Sequence, residues 1–268
     1  MRCLVINLDR SPDRLAHISA QFSKIGAMFE RVEAIDGNRL ADHVANLQPQ
    51  SKFGKPLNKG EIACFMSHRK CWAMIADGSD EFGAVIEDDV YFTDDAGQFL
   101  RSDEWLPEQV GLLKIETLMD RVFISRASRI RIGRHLIHRL TGAHLGTGGY
   151  IVSKRYAQQL LSLSNDTLPC PVDHFMFDPQ LPPMAQNSVY QIVPALCVQS
   201  DKIEDESMAL QSTIRLKASE RKKAIQKKNL SLGQKIVREL KRLSQQIGEM
   251  PPFLAHYARS KWIVVPFK

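Results

Sequence analysis

Residues 1–37 constrain the fold more than any other stretch of the chain. Cys3 to Leu8 is an apolar run almost at the N-terminus, followed by Asp9-Arg10-Ser11-Pro12-Asp13-Arg14. Proline suits the first turn of a helix, and serine before it can serve as the cap. Leu15, Ile18, Phe22 and Ile25 then recur at helical spacing, and Gly26 stops the helix. Phe29 to Val32 reads as a second strand, closing in Ala34-Ile35-Asp36-Gly37. Strand, helix, strand in this order predicts a βαβ unit and a mostly parallel central sheet in an α/β protein. Ligands of open α/β sheets bind beyond the carboxyl ends of the strands. The first place to look for function is therefore Asn7-Leu8-Asp9-Arg10.

The rest of the first 200 residues continues this pattern. Residues 38–57 are polar and read as a surface loop. Asn58 with Glu61 makes a capping box that opens a helix to about Ala76. Phe82 to Ile86 is a buried strand, and Gly111–Ile115 and Ile137–Leu140 are candidate strands. The glycine-rich segment 142–150 leads into Ile151-Val152, and Ser153 caps a helix to about Leu163. Pro169 to Pro171 turns the chain before Val172-Asp173-His174-Phe175. Val189–Val193 and Leu196–Val198 are the last core strands.

The apolar strand Ala84-Val85-Ile86 ends abruptly in Glu87-Asp88-Asp89. Three successive carboxylates repel one another unless a positive group joins them. A hard divalent cation such as Mg²⁺ or Mn²⁺ suits oxygen ligands of this kind. Strand alternation would turn Glu87 and Asp89 to one side and Asp88 to the other. A solvated acidic turn is the plainer reading. Arg10 and Arg14 match phosphate geometry, or are ordinary charges at an exposed helix start. His68 is either a ligand contact or a buried hydrogen-bonding residue. Asp173 is either a helix cap or a functional acid. Gly148 and its neighbours allow close backbone approach to a ligand, or simply form a turn.

Several classes lack support. There is no GxGxxG after the first strand and no GxxxxGK[ST], which disfavours dinucleotide and P-loop nucleotide binding. There is no HExxH or GxSxG. The five cysteines form no CxxC pair and suit a reducing cytosol. Cys64 and Cys71 read as small buried apolar residues. No signal peptide and no apolar run of membrane-spanning length is visible.

Taken in order, INLDRSPDR, AIDG, LNKGEIACFMSHRKCW, GAVIEDDV, GTGGYIVSK, PVDHFMF and VPALCVQ resemble glycosyltransferase family 25, the lipooligosaccharide-biosynthesis family that includes bacterial β-galactosyltransferases. The resemblance spans roughly residues 1–200. It implies a GT-A-like nucleotide-sugar fold and inverting transfer of a hexose, usually galactose from UDP-galactose, with Mn²⁺ or Mg²⁺. Carried onto this chain, it implies Glu87 and Asp89 as metal residues. It places Asn7, Leu8, Arg10, Arg14, Asp36, Ser67, His68 and Asp88 on the nucleotide side. It places Gly148, Tyr150 and Gln199 on the sugar or acceptor side. Here Glu87 stands at the first position of a DxD-like motif, and it is longer than Asp. An inverting transfer needs one general base, and Asp173 is the candidate.

Charge divides the chain into two expected regions, a catalytic domain over 1–200 and a C-terminal region over 201–268. The total is +6, but residues 201–268 hold 15 Lys and Arg against 7 Asp and Glu, and residues 1–200 hold 21 against 23. Leu232, Ile236, Leu240, Leu243 and Ile247 recur between basic residues, which predicts an amphipathic basic helix. The terminus adds Phe253, Tyr257, Trp262 and Phe267. This tail suits an anionic membrane surface and a lipid-linked oligosaccharide acceptor, placing the protein in the cytoplasm, peripheral on the inner membrane. Packing against protein is the alternative, and a homo-oligomer is compatible with it. Nucleic-acid binding would need basic and aromatic residues interleaved across the folded domain, which the acidic first 200 residues lack. A non-catalytic sugar-nucleotide or glycolipid-binding protein is the alternative to an enzyme.

Overall fold

A computed structural model describes residues 1–41, 56–165, 168–186, 189–203 and 258–267. Met1–Gln211 with Trp262–Lys268 form one compact unit, and Ser212–Lys261 form a second. Only residues 258–261 of the second unit are described. The expected amphipathic basic helix over 232–247 and most of the loop expected over 38–57 lie outside the described residues.

The chain opens with β1 (Arg2–Asn7), α1 (Pro12–Lys24) and β2 (Glu30–Glu33). Next come α2 (Lys59–Ala76), β3 (Phe82–Glu87), β4 (Val90–Phe92) and α3 (Ala96–Leu100). Four strands follow, β5 (Leu112–Lys114), β6 (Glu116–Thr117), β7 (Arg121–Ile132) and β8 (His135–Leu140). Then come β9 (Gly149–Ser153), α4 (Lys154–Leu163), α5 (Val172–Phe177) and α6 (Pro182–Gln186). The described chain ends with β10 (Val189–Val193), β11 (Cys197–Gln199) and β12 (Ser260–Val264).

Nine strands form one sheet in the order β12-β7-β8-β10-β5-β9-β3-β1-β2. β1 pairs in parallel with both β2 and β3, as the βαβ opening requires. The expectation of mostly parallel pairing holds for that end of the sheet. Further along the sheet is mixed. β9 runs antiparallel to β3 and β5, and β8 antiparallel to β10 and β7, while β10 pairs in parallel with β5. The hairpin β7–β8 needs no helical crossover, so it carried none of the helix–strand alternation that signals parallel strands. A second, three-stranded sheet has the order β4-β11-β6.

Strand alternation sorts the buried residues into two layers. Leu4, Ile6, Val85, Tyr150 and Val152 pack with Ile62, Phe65, Trp72 and Ile75 of α2. Cys3, Val5, Ala84, Ile86 and Ile151 pack with Ile18 and Phe22 of α1 and with Phe99. Both faces of the central strands are therefore covered, which fits their near-continuous apolar runs.

Local signals explain most boundaries. The Asn58 side chain accepts from Glu61 N while the Glu61 carboxylate accepts from Asn58 N, a complete capping box for α2. The Ser153 side chain caps α4. Gly26 ends α1 with φ of 63°, a conformation that glycine adopts without a Cβ penalty. Ser11 stands at the N-cap of α1, but its side chain makes no capping bond, so Pro12 alone marks that start.

At the other end of the chain, Trp262 of β12 stacks on Phe123 of β7, with ring centroids 5.6 Å apart. Val265 is buried, and its carbonyl accepts from the Thr117 hydroxyl at 2.7 Å. Part of the terminal segment is thus strand, with Val265 in the core and Trp262 half exposed. Among the described residues, no helix is long and apolar enough to cross a membrane.

Candidate functional site

The carboxyl ends of β1 and β3 and the start of β9 meet at one edge of the sheet. Ile6 is in register with Glu87, and Ile86 with Gly149. β3 ends at Glu87, and Asp88 and Asp89 form a turn into β4. The expected alternation therefore stops at Glu87. Asp88 and Asp89 do not diverge, because a turn brings both within reach of one guanidinium. Arg14 Nη1 lies 3.0 Å from Asp88 Oδ1, and Arg14 Nη2 pairs with Asp89 Oδ2.

Asn7 completes that group from β1. Its amide donates to Asp88 Oδ2 at 2.7 Å and to the Ser11 carbonyl at 3.1 Å, and its oxygen accepts from Arg31 Nε at 3.0 Å. Asn7 is buried, so it orients the acidic turn and is not a ligand-facing group. Asp89 Oδ1 is buried and has no hydrogen-bond partner. Burial pushes the Asp89 carboxyl up to about 7, with repulsion from Glu87 adding and Arg14 opposing. Burial also raises Asp88, against the pull of Arg14 and Asn7.

Glu87 is held differently. Its carboxylate accepts from the Thr147 hydroxyl at 2.6 Å and from the Gln199 amide at 3.1 Å. His68 Nε2 stands 3.4 Å from Glu87 Oε1. Burial alone would raise this carboxyl, but His68, Thr147 and the Arg14 charge together hold it below its usual value. Gln199 thus reaches the acidic block from β11, although sequence placed it with the sugar. Behind His68, the Tyr150 hydroxyl lies 2.9 Å from Nδ1 and accepts from Trp72 Nε1 at 2.8 Å. Tyr150 is fully enclosed, at 0% exposure, so it does not line a sugar site. An aromatic after a glycine run resembles a surface loop residue, but here the β9 register turns it onto α2.

Gly148, also expected on the sugar side, is a packing position. Its N–H donates to Glu116 Oε2 at 3.0 Å, and its carbonyl accepts from Glu87 N at 3.0 Å. A Cβ there would stand 2.7 Å from Glu116 Oε1. Glu116 and Lys114 form a fully buried ion pair at 2.7 Å, and Lys114 also donates to the Gly146 carbonyl at 2.5 Å. Burial raises the Glu116 carboxyl against the attraction of Lys114. Sequence reasoning missed this pair. Its only signal was a Lys-x-Glu spacing, which puts both side chains on one face, inside an apolar strand.

A cleft of about 300 Å³ opens at the ends of β1 and β2, lined by Leu8, Arg10, Ile35, Asp36, Arg39 and Lys70, among others. Arg10 Nε pairs with Asp36 Oδ2 at 2.9 Å, and Asp36 also caps a short 3-10 turn at Gly37. The Arg10 hydrogen bond, with the Asn38 backbone, holds the Asp36 carboxyl below its usual range. Ser67 is buried, and its hydroxyl accepts from Ile35 N at 2.9 Å while donating to the Ala63 carbonyl at 2.7 Å. It ties α2 to the cleft wall and is not itself exposed to a ligand.

Asp173 lies in the first turn of α5, half-buried, and its Oδ1 accepts from His174 N at 2.8 Å. Burial raises the Cys64 thiol well above its usual value, and Glu87, Asp173 and Asp89 add to this in turn. The arrangement offers two buried carboxylate oxygens without a hydrogen-bond partner, Asp89 Oδ1 and Glu116 Oε1, a carboxylate beside Asp89 held as an anion, and a cleft whose wall carries three cationic and three acidic side chains. Oxygen donors of this kind fit a hard divalent cation.

The profile of glycosyltransferase family 25 (LPS biosynthesis protein) matches residues 1–176. The lacto-N-neotetraose biosynthesis glycosyltransferase LgtB of Neisseria gonorrhoeae is 34% identical over 227 residues, covering 78% of this chain and 79% of that protein. The lipooligosaccharide biosynthesis protein lic2B of Haemophilus influenzae is 29% identical over 224 residues, covering 78% of this chain and 80% of that protein. A solved glycosyltransferase involved in glycosylation of the major capsid of PBCV-1 overlaps 78% of this chain and all of its own, with a TM-score of 0.40 at 13% identity.

Proposed function

Because the chain belongs to glycosyltransferase family 25, we propose that it transfers a hexose, galactose from UDP-galactose, onto a lipooligosaccharide acceptor, with inversion and with Mn²⁺ or Mg²⁺. The observation that carries this reading is Asp89. A carboxylate buried beside two others, with Oδ1 left without a partner, is costly in isolation. It becomes favourable when a cation and a diphosphate occupy the edge of the sheet.

In this reading Asp89 holds the metal, and Glu87 faces it as the second anion. The metal, when bound, neutralises the diphosphate and stabilises the leaving nucleotide. Arg14 keeps Asp88 and Asp89 in place before the donor arrives. Asn7 fixes Asp88, and the His68–Tyr150–Trp72 chain fixes Glu87. The cleft of Leu8, Arg10 and Asp36 takes the nucleoside, with Arg39 and Lys70 beside it. Asp173 accepts the proton of the attacking acceptor hydroxyl. The fold is, in this reading, GT-A-like. The basic residues of 201–268 bring the enzyme to an anionic, lipid-linked substrate at the cytoplasmic face of the inner membrane.

A donor screen tests the proposal. UDP-galactose, UDP-glucose and UDP-N-acetylhexosamines are each supplied with and without Mn²⁺, and UDP release is followed in the presence of lipooligosaccharide acceptors. Release with UDP-galactose that needs the metal is the expected result. Metal-independent turnover would remove Asp89 from its role. Tight donor binding with no turnover on any acceptor would favour a sugar-nucleotide-binding protein.

A further inference from the structure

α2 carries Cys64 and His68 four residues apart, which sets them on one face of the helix. Glu87 approaches that face from the end of β3. Ligand atoms of Cys64, His68 and Glu87 all lie within 4.8 Å of one another. The His68 Nε2 to Glu87 Oε1 separation is 3.4 Å. Around a tetrahedral zinc ion with bonds of about 2.0–2.3 Å, neighbouring donors stand roughly 3.5 Å apart. The imidazole and carboxylate already have that spacing. The thiol needs to move by about an ångström, which a side-chain rotation supplies.

The donor set differs in kind from that of Asp89. Thiolate and imidazole favour Zn²⁺ and softer ions, whereas carboxylates alone favour Mg²⁺ and Mn²⁺. His68 is also held from behind, since its Nδ1 meets the Tyr150 hydroxyl that Trp72 fixes. Metal-binding histidines are oriented by such a second hydrogen bond. Of the five cysteines, Cys64 is half-buried and the other four are buried. The Glu87 side chain is 23% exposed, so an ion and a solvent ligand can reach the cluster.

We propose that Cys64, His68 and Glu87 form a second metal site, selective for Zn²⁺ and similar soft divalent cations, whose occupation inhibits transfer. On binding, the Cys64 S–H bond is replaced by an S–metal bond, and the proton leaves to solvent. The ion also draws Glu87 Oε1 away from the Thr147 hydroxyl and so disturbs the anion beside Asp89. The metal site stands on the geometry alone, and the inhibition rests on the transfer reaction proposed above.

Cobalt is the probe, because thiolate-bound Co²⁺ has a charge-transfer absorption that oxygen-only sites lack. The full-length protein is titrated with Co²⁺ and then with Zn²⁺. We expect a saturable thiolate band that Zn²⁺ abolishes, that is missing in Cys64→Ser, and that needs at least about tenfold more metal in His68→Ala. Cys64→Ser is expected to keep its unfolding profile and its Mn²⁺-dependent turnover, and to resist about tenfold higher Zn²⁺ than the wild type. Absence of the band in the folded wild-type protein, or a band unchanged in Cys64→Ser, overturns the metal site. A band without inhibition of an active enzyme overturns the regulatory half. If no donor is turned over, the proposed function fails, while the Co²⁺ spectrum still decides the site.

Discussion

The Tyr150 hydroxyl lies 2.9 Å from His68 Nδ1, in the interior between β9 and α2, and Trp72 Nε1 donates to it at 2.8 Å. One oxygen therefore serves two buried partners. Tyr150→Phe removes it and leaves both without a partner. Each orphaned group costs roughly 1–3 kcal/mol, so a loss of about 3 kcal/mol in urea unfolding is expected. His68 also loses its fixed ring orientation toward Glu87. Turnover should fall further than donor affinity, because the donor-side cleft is untouched. An unfolding midpoint equal to the wild type would mean that water replaces the hydroxyl.

Arg14 is the only cation that contacts both Asp88 and Asp89 among the described residues. Removing one partner of a buried ion pair leaves uncompensated charge, and this typically costs about 3–5 kcal/mol. Arg14→Met should therefore lower stability by about 3 kcal/mol in chemical denaturation. Excess Mn²⁺ should recover part of that loss, since the cation can take up the charge that Arg14 no longer balances. A variant as stable as the wild type without metal would show that the two aspartates do not depend on the guanidinium.

Glu116 and Lys114 are both fully buried, with Glu116 also accepting from Gly148 N. Glu116→Gln keeps an acceptor for that N–H but strands the Lys114 charge. The expected cost is about 3 kcal/mol in stability, together with weaker metal binding, because Gly148 in turn receives Glu87 N. Intact stability, measured by thermal or urea unfolding, would mean that the Lys114 hydrogen bond to the Gly146 carbonyl suffices without the Glu116 charge.

The βαβ opening, the Asn58 and Ser153 helix caps and the Glu87-Asp88-Asp89 block were legible in the sequence because each depends on neighbours within a few residues. Chain-distant partners were not. Nothing near Gln199 in sequence says that it meets Glu87, since that contact depends on how β11 joins β4 and β6. The family resemblance places Tyr150 and Gly148 on the sugar side, and the glycine-rich stretch itself leaves close backbone approach and a plain turn both open. The antiparallel register of β9 on β3 instead buries them. Lys114 and Glu116 escaped notice because isolated charges in a strand normally mark its solvent face, and only tertiary pairing makes them interior. Cys64 was read as a buried apolar residue, and its proximity to His68 and Glu87 needs both the helix face and the end of β3.

The Asp89 carboxyl, pushed up to about 7 chiefly by burial, gives a pH dependence of definite sign. Between the ordinary aspartate value and about 7, the folded protein holds a proton that the unfolded chain has released. Stability from this group is therefore greatest at low pH and declines as pH rises through that window. Metal binding runs the other way, because only the ionised carboxylate is a ligand. Apparent Mn²⁺ affinity, followed by titration calorimetry, should rise by about tenfold per pH unit below neutrality and level off above it. Asp89→Asn should bind Mn²⁺ weakly at every pH. A flat affinity profile in the wild type would place the metal on other residues.

Asp173→Asn is a narrow test of the general base because it changes little else. Asp173 Oδ1 accepts from His174 N, and an asparagine oxygen can accept the same bond at the start of α5. The unfolding midpoint should stay within about 0.5 kcal/mol of the wild type. Proton acceptance is lost, however, and general-base catalysis is worth about 10²–10⁴-fold in rate. UDP affinity should be unchanged, because no nucleotide-side residue is altered. The expected pattern is therefore a fall in kcat of at least about a hundredfold with an unaltered Kd for UDP. Wild-type turnover in a folded Asp173→Asn protein would reduce Asp173 to a helix-start residue and move the search for the base to other acids near the acceptor.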